Sequence, residues 1–144
     1  MPMNGLNIGR DITLSIVTPE AGVLNLPVLM DYEPKPKVKE DMVIPLNGDN
    51  IPLQFIEGWT GDFTVERSNG AIDSYWALVE ANYFNGVPQQ GATITETITN
   101  PDASTNIFRY ESVLLKPESM GSWKGDTDVP VKMSFQASRR IQVQ

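Results

Sequence analysis

From Val129 to Ser138 apolar and polar residues alternate, with Pro130 the one interruption. Val129, Val131, Met133, Phe135 and Ala137 are apolar, and Lys132, Ser134, Gln136 and Ser138 between them are polar. A period of two is the repeat of a strand with one buried face, because successive side chains leave a strand on opposite sides. A helix cannot gather that pattern on one side. The same period recurs along most of the chain, so the sequence is constrained to a mainly β fold.

Residues 11–18 carry Ile12, Leu14 and Ile16 on one face and Thr13, Ser15 and Val17 on the other. Pro19-Glu20-Ala21-Gly22 reads as a turn and residues 23–30 as the returning strand of a hairpin, with Pro27 marking an edge or a bulge. Residues 51–56 and 62–67 read as two short strands joined by a turn over Gly58 to Gly61; Phe63 and Val65 oppose Asp62, Thr64 and Glu66. Thr93, Thr95, Thr97 and Thr99 alternate with Ile94, Glu96 and Ile98, and in residues 107–115 Phe108, Tyr110 and Leu114 oppose Arg109 and Glu111. One helix is expected, over residues 69–85, stopped by Asn85-Gly86. Ile72, Tyr75, Trp76, Val79 and Tyr83 give it one apolar stripe to pack on the sheet.

Residues 31–50 stand apart. Lys35, Lys37 and Lys39 alternate with Pro34, Pro36 and Val38, and Asn47-Gly48-Asp49 is a turn signal. One reading is a solvated hairpin whose edge is guarded by Lys and Pro against stray pairing. The other is an arm that reaches a neighbouring subunit, short of order in a lone chain for want of apolar surface.

At 144 residues, 1–144 reads as a single domain. With no His and no Cys, nucleophile pairs and thiolate metal sites have no material, so no catalytic residue, cofactor or metal site is expected. Asp62 and Glu66 share a strand face and Asp126-Thr127-Asp128 holds two carboxylates, but solvated strand and turn chemistry accounts for both. A net charge of −7 disfavours a nucleic-acid reader, which needs Lys and Arg on phosphates. Met1 to Leu6 lacks a basic region followed by an apolar run, and no apolar run is long enough to span a membrane. Assembly in the cytoplasm, without membrane insertion, is the expectation.

Gly58-Trp59-x-Gly61-x-Phe63 with Arg67, Asp73 and Glu80, then Ile94, Ile98, Tyr110, Gly121-x-Trp123 and Ser134-Phe135-x-Ala137-Ser138-Arg139 occur in an order that resembles bacteriophage tail tube proteins, a fold shared with the tube of type VI secretion systems. The likeness spans roughly residues 55 to 140. It implies a β-sandwich or partial barrel with one flanking helix and a long extended arm loop. Six such subunits would close a ring, and rings would stack into a tube that conducts DNA during ejection without binding it specifically.

The resemblance places the subunit in a virion tail, assembled in a bacterial host, beside sheath, tape measure and baseplate proteins. It assigns Lys35, Lys37, Lys39, Asn47 and Gly48 to the inter-subunit arm. Asp62, Thr64 and Glu66, and second Thr93, Thr95 and Thr97, are candidates for the lumen. Arg139 and Arg140, in the tail of residues 139–144, are candidates for a subunit contact. A tube terminator or secretion-tube ring is the alternative. A carbohydrate-binding β-sandwich stacking sugars on Trp59, Trp123 and Tyr83 is the rival from another class.

Overall fold

The computed structural model describes residues 4–24 and 29–144. Among these, the elements run β1 (Ile12–Thr18), β2 (Gly22–Leu24), β3 (Leu29–Val43), β4 (Ile51–Glu66), α1 (Ala71–Phe84), β5 (Ala92–Thr99), β6 (Thr105–Ser119), β7 (Pro130–Ala137) and β8 (Arg139–Gln142). Every strand pairing is antiparallel. The order across the sheet is β2-β1-β5-β6-β7-β4-β3, with β8 also on β6. The fold is mainly β with one helix.

β6 is shared between two halves of the sheet. Its first part pairs with β5 and β8, and Leu114 onward pairs with β7. The passage is made at Ser112, which takes a φ of 54°, while across from it Ser138 donates its N–H to the Glu111 carbonyl at 3.0 Å. The two halves and the helix close on one core. Ile16, Ile94, Tyr110 and Val113 come from the first half, Phe63, Val65, Leu115, Val131, Met133 and Phe135 from the second, and Ile72, Tyr75 and Val79 from α1. The alternation that dictates each strand is thus used to fill one interior.

The helix ends where Asn85-Gly86 is expected to stop it. Gly86, with φ of 85°, donates to the Tyr83 carbonyl at 3.0 Å and Val87 to Asn82 at 2.7 Å, so carbonyls of the last turn are satisfied past the end of the helix. The apolar stripe is shorter than its spacing suggests. Ile72, Tyr75 and Val79 are buried and Trp76 is half-buried, but Tyr83 lies in the last turn, beyond the core, and is exposed.

Three expectations change. The Gly58 to Gly61 segment is no turn: β4 runs unbroken through it. Gly58, at φ of 127°, instead marks a bulge where a Cβ would meet the Ala137 carbonyl oxygen at 2.5 Å. At Gly61 a Cβ would strike the Phe135 ring at 2.7 Å, so this glycine makes room for that ring. Residues 31–43 form most of β3, laddered to β4 by backbone bonds that need no apolar stripe, so the hairpin reading of this segment holds and the extended loop does not. Residues 139–142 are strand β8 rather than a free tail. The returning strand expected over residues 23–30 is seen as β2 and the start of β3; Pro27 lies outside the described residues.

Candidate assembly interface

β3 is the last strand of the sheet order, and Pro34 and Pro36 with Lys35 and Lys37 lie on its root. Proline removes a ladder donor and lysine resists desolvation, so this stretch is a guarded edge. Beyond Lys37 the register shifts: Lys37 pairs with Gly58 and Val38 with Ile56, which leaves Glu57 as an extra residue on β4. From there to the tip the pair β3–β4 is a hairpin with both strands exposed.

The bulge has a definite effect on facing. In the body of β4, the odd positions Phe63 and Val65 point to the core. Past Glu57, Phe55 pairs with Lys39, Leu53 with Asp41 and Ile51 with Val43, so these odd residues join the face that carries Lys35 and Lys37. Val38, Ile56 and Met42 take the opposite face. Both faces of the hairpin therefore show apolar side chains to water: Phe55 is 51% exposed and Ile56 82%, with Met42, Val43, Ile44, Leu46, Ile51 and Leu53 also exposed. Asn47 and Gly48 form the tip, where Asn47 Oδ1 accepts the Asp49 N–H at 3.1 Å and Gly48 takes φ of 84°.

Asp62, Thr64 and Glu66 share the outward face of the second half. Glu33, Asp62, Ser134 and Lys116 form one cross-strand row, and Asp31, Thr64 and Lys132 the next. Carboxylates and lysines are interspersed on this face: Asp31, Glu33, Lys35 and Lys37 on β3, Asp62 and Glu66 on β4, Lys132 on β7 and Lys116 on β6. Ion pairs run along strands, Lys35 to Glu33 at 3.6 Å and Lys116 to Glu118 at 3.4 Å. The Ser134 hydroxyl and Lys116 hold the Glu118 carboxyl below its ordinary range. A hydrogen bond with Asp128 raises the pKa of Glu66, and desolvation and the Asp128 charge add to the effect.

Thr93, Thr95 and Thr97 lie on the outward face of the first half, beside Val17, Ser15 and Thr13 of β1. Arg109, opposite Thr95, pairs with Glu111 at 3.2 Å. The two candidate wall sets thus belong to different halves of the sheet and share no cross-strand pair. Arg139 is exposed and sits opposite Glu111. Arg140 turns inward: its Nη2 lies 2.9 Å from Glu96 Oε1, and its guanidinium lies 3.6 Å from the Phe108 ring centre and 4.9 Å from that of Trp59.

Glu96 is the residue the sequence gives least reason to single out. It occupies a core-facing position of β5, 1% exposed, and its Oε2 accepts the hydroxyls of Tyr32 at 2.8 Å and Tyr110 at 2.9 Å. Burial first, with the Glu96 charge adding, raises the Tyr32 pKa and pushes Tyr110 up to about 12. The signal in sequence is a carboxylate standing where the alternation calls for an apolar side chain.

Among the described residues no group of three or more Asp and Glu is placed to hold a metal ion. The sugar-stacking trio is dispersed in its engagements. Trp59 is taken by Arg140 and by an edge contact to Tyr110, Trp123 lies under Arg67 at 5.4 Å, and Tyr83 packs edge-on against Phe84.

No protein-family model matches the sequence, and no curated protein matches it as a relative. Solved structures match in fold. A chain of the six-fold symmetrised baseplate of the anti-feeding prophage superposes with a TM-score of 0.65 at 8% identity, covering 98% of this chain and 97% of that one. A chain of the anti-feeding prophage tube terminating cap gives 0.62 at 7%, covering 90% and 86%. The SPP1 tail tube gives 0.60 at 15%, covering 94% and 77%. The fold is that of the tail tube. At such identities the likeness fixes architecture alone.

Proposed function

We propose that this chain is a structural subunit of a tail tube. It forms six-membered rings that stack, and the stack conducts DNA in a virion tail beside sheath, tape measure and baseplate proteins. The observation that carries the reading is the hairpin beyond the Glu57 bulge, whose apolar side chains on both faces have no cover in the lone chain. Exposed apolar surface of that extent on a soluble domain is matched to a partner. A contact between a protruding hairpin and a different surface of the next copy is head-to-tail, and such a contact builds an open stack wherever its rotation does not close a ring.

In this reading Lys35, Lys37, Lys39, Asn47 and Gly48 belong to the arm that engages the next ring. Arg139, exposed beside Glu111, belongs to a lateral contact. The face of Asp62, Thr64 and Glu66 lines the channel, where its carboxylates repel phosphates and two of its lysines are already paired, Lys35 with Glu33 and Lys116 with Glu118. The absence of His and Cys fits a part with no chemistry to perform.

Negative-stain microscopy of the purified protein is the test. Long hollow filaments support the tube subunit, lone rings support a terminator, and monomers at high concentration overturn both.

A further inference from the structure

Glu96 joins three strands that are distant in the chain. Tyr32 stands at the root of β3, Tyr110 on β6, and Arg140 on β8. Tyr32 belongs to the second half of the sheet and Glu96 to the first, so the Tyr32 to Glu96 bond crosses between halves. Tyr32 also stacks on Phe135, with ring centres 6.2 Å apart and planes at 11°. On the other side, β8 is a strand of four residues whose one inward-reaching cation is pinned between aromatic rings and the carboxylate.

We propose that Glu96 is a latch between the C-terminal strand and the hairpin root, so that the seating of β8 sets the direction in which the hairpin projects. A carboxylate taken out of water needs its cation and its hydrogen-bond donors together. If β8 lifts, Arg140 leaves with it, and Glu96 must then draw in water or turn toward it. Either change releases the Tyr32 hydroxyl, the polar tie that holds the β3 root against the first half. A four-residue strand laddered to one neighbour alone, as β8 is to β6, opens locally at low cost, so β8 is the element of the latch suited to lift. That the hairpin stacks rings rests on the proposed function; that β8 controls the hairpin root does not.

Hydrogen exchange on the unassembled protein tests the latch. In Arg140→Gln, amides of β8 and of residues 30–36 should both exchange faster, by on the order of tenfold, while β7 stays slow. In Tyr32→Phe, residues 30–36 should speed up and β8 should not. Should Arg140→Gln fail to fold, Glu96→Gln with Arg140→Gln removes both charges and leaves no stranded ion; the same loosening of residues 30–36 is expected. The latch is overturned if β8 frays in either variant while residues 30–36 keep the wild-type rate. Filament length is scored separately. Absence of wild-type filaments sinks the tube reading alone, and shorter stacks from Arg140→Gln tie latch to stacking.

Discussion

Arg140 reaches Glu96 at 2.9 Å across 44 positions of sequence, with the carboxylate buried and the Arg140 side chain 21% exposed. A buried pair of this kind is weak evidence for net stabilisation, because both ions are desolvated, yet breaking it is costly. Replacing Arg140 with Met leaves the carboxylate without its cation and should destabilise the fold by about 3–5 kcal/mol. Adding Glu96→Gln to that variant should restore much of the loss. Urea unfolding of the two variants checks it, and a single variant as stable as wild type would refute the pairing.

Gly58→Ala should destabilise by about 1–3 kcal/mol, since φ of 127° is closed to an L side chain and the new methyl would meet the Ala137 carbonyl. Gly48→Ala, at φ of 84° but with open space around it, carries only the backbone part of that cost. Thermal unfolding of both variants separates the clash from the dihedral. Equal midpoints would show that the contact to Ala137 relaxes without penalty.

Replacing residues 39–55 by a two-residue turn removes the apolar hairpin while keeping the pairing of β3 with β4 below the bulge. No core side chain lies in that stretch, so circular dichroism should show an intact fold. Stacking should be lost. Long filaments from this variant would show that the hairpin is not the stacking device.

The strands were legible because a period of two survives in any window of five residues. Val131, Met133 and Phe135 are buried as that period requires. Gly58 and Gly61 misled for a physical reason. Glycine marks a turn, a bulge or a close approach equally well, and the choice depends on Ala137 and Phe135, far along the chain. Glu96 was illegible as a hub because its partners lie 14, 44 and 64 residues away, and no local pattern contains them. The hairpin's length could be read as unusual; which side its apolar residues face could not, since one extra residue at Glu57 decides it.

Glu66 should respond to acid through its contact with Asp128. The folded-state pKa of Glu66 is raised, so the folded chain holds a proton the unfolded chain has already released. That contribution is complete below the ordinary glutamate range and is lost as pH rises through the raised value. The contact between Glu66 and Asp128 should therefore be closed in mild acid and open toward neutrality, and Glu66→Gln should remove the dependence. Carboxyl chemical shifts followed through a titration report it directly. A Glu66 that titrates as in a free peptide contradicts the shared proton.

Asp62 offers the cleanest test of the channel wall, because its row also holds Glu33, Ser134 and Lys116 and its side chain is exposed. Asp62→Lys reverses one charge per subunit on the face assigned to the lumen without touching the core. Tubes should assemble normally, but DNA should pass more slowly, since each new ammonium holds a phosphate. Raising salt should relieve the delay, because screening shortens the reach of those charges. Thr95→Lys, on the outward face of the other half, should leave passage unchanged. The opposite result, delay from Thr95→Lys and none from Asp62→Lys, would move the wall to the threonine face and leave the tube subunit reading in place.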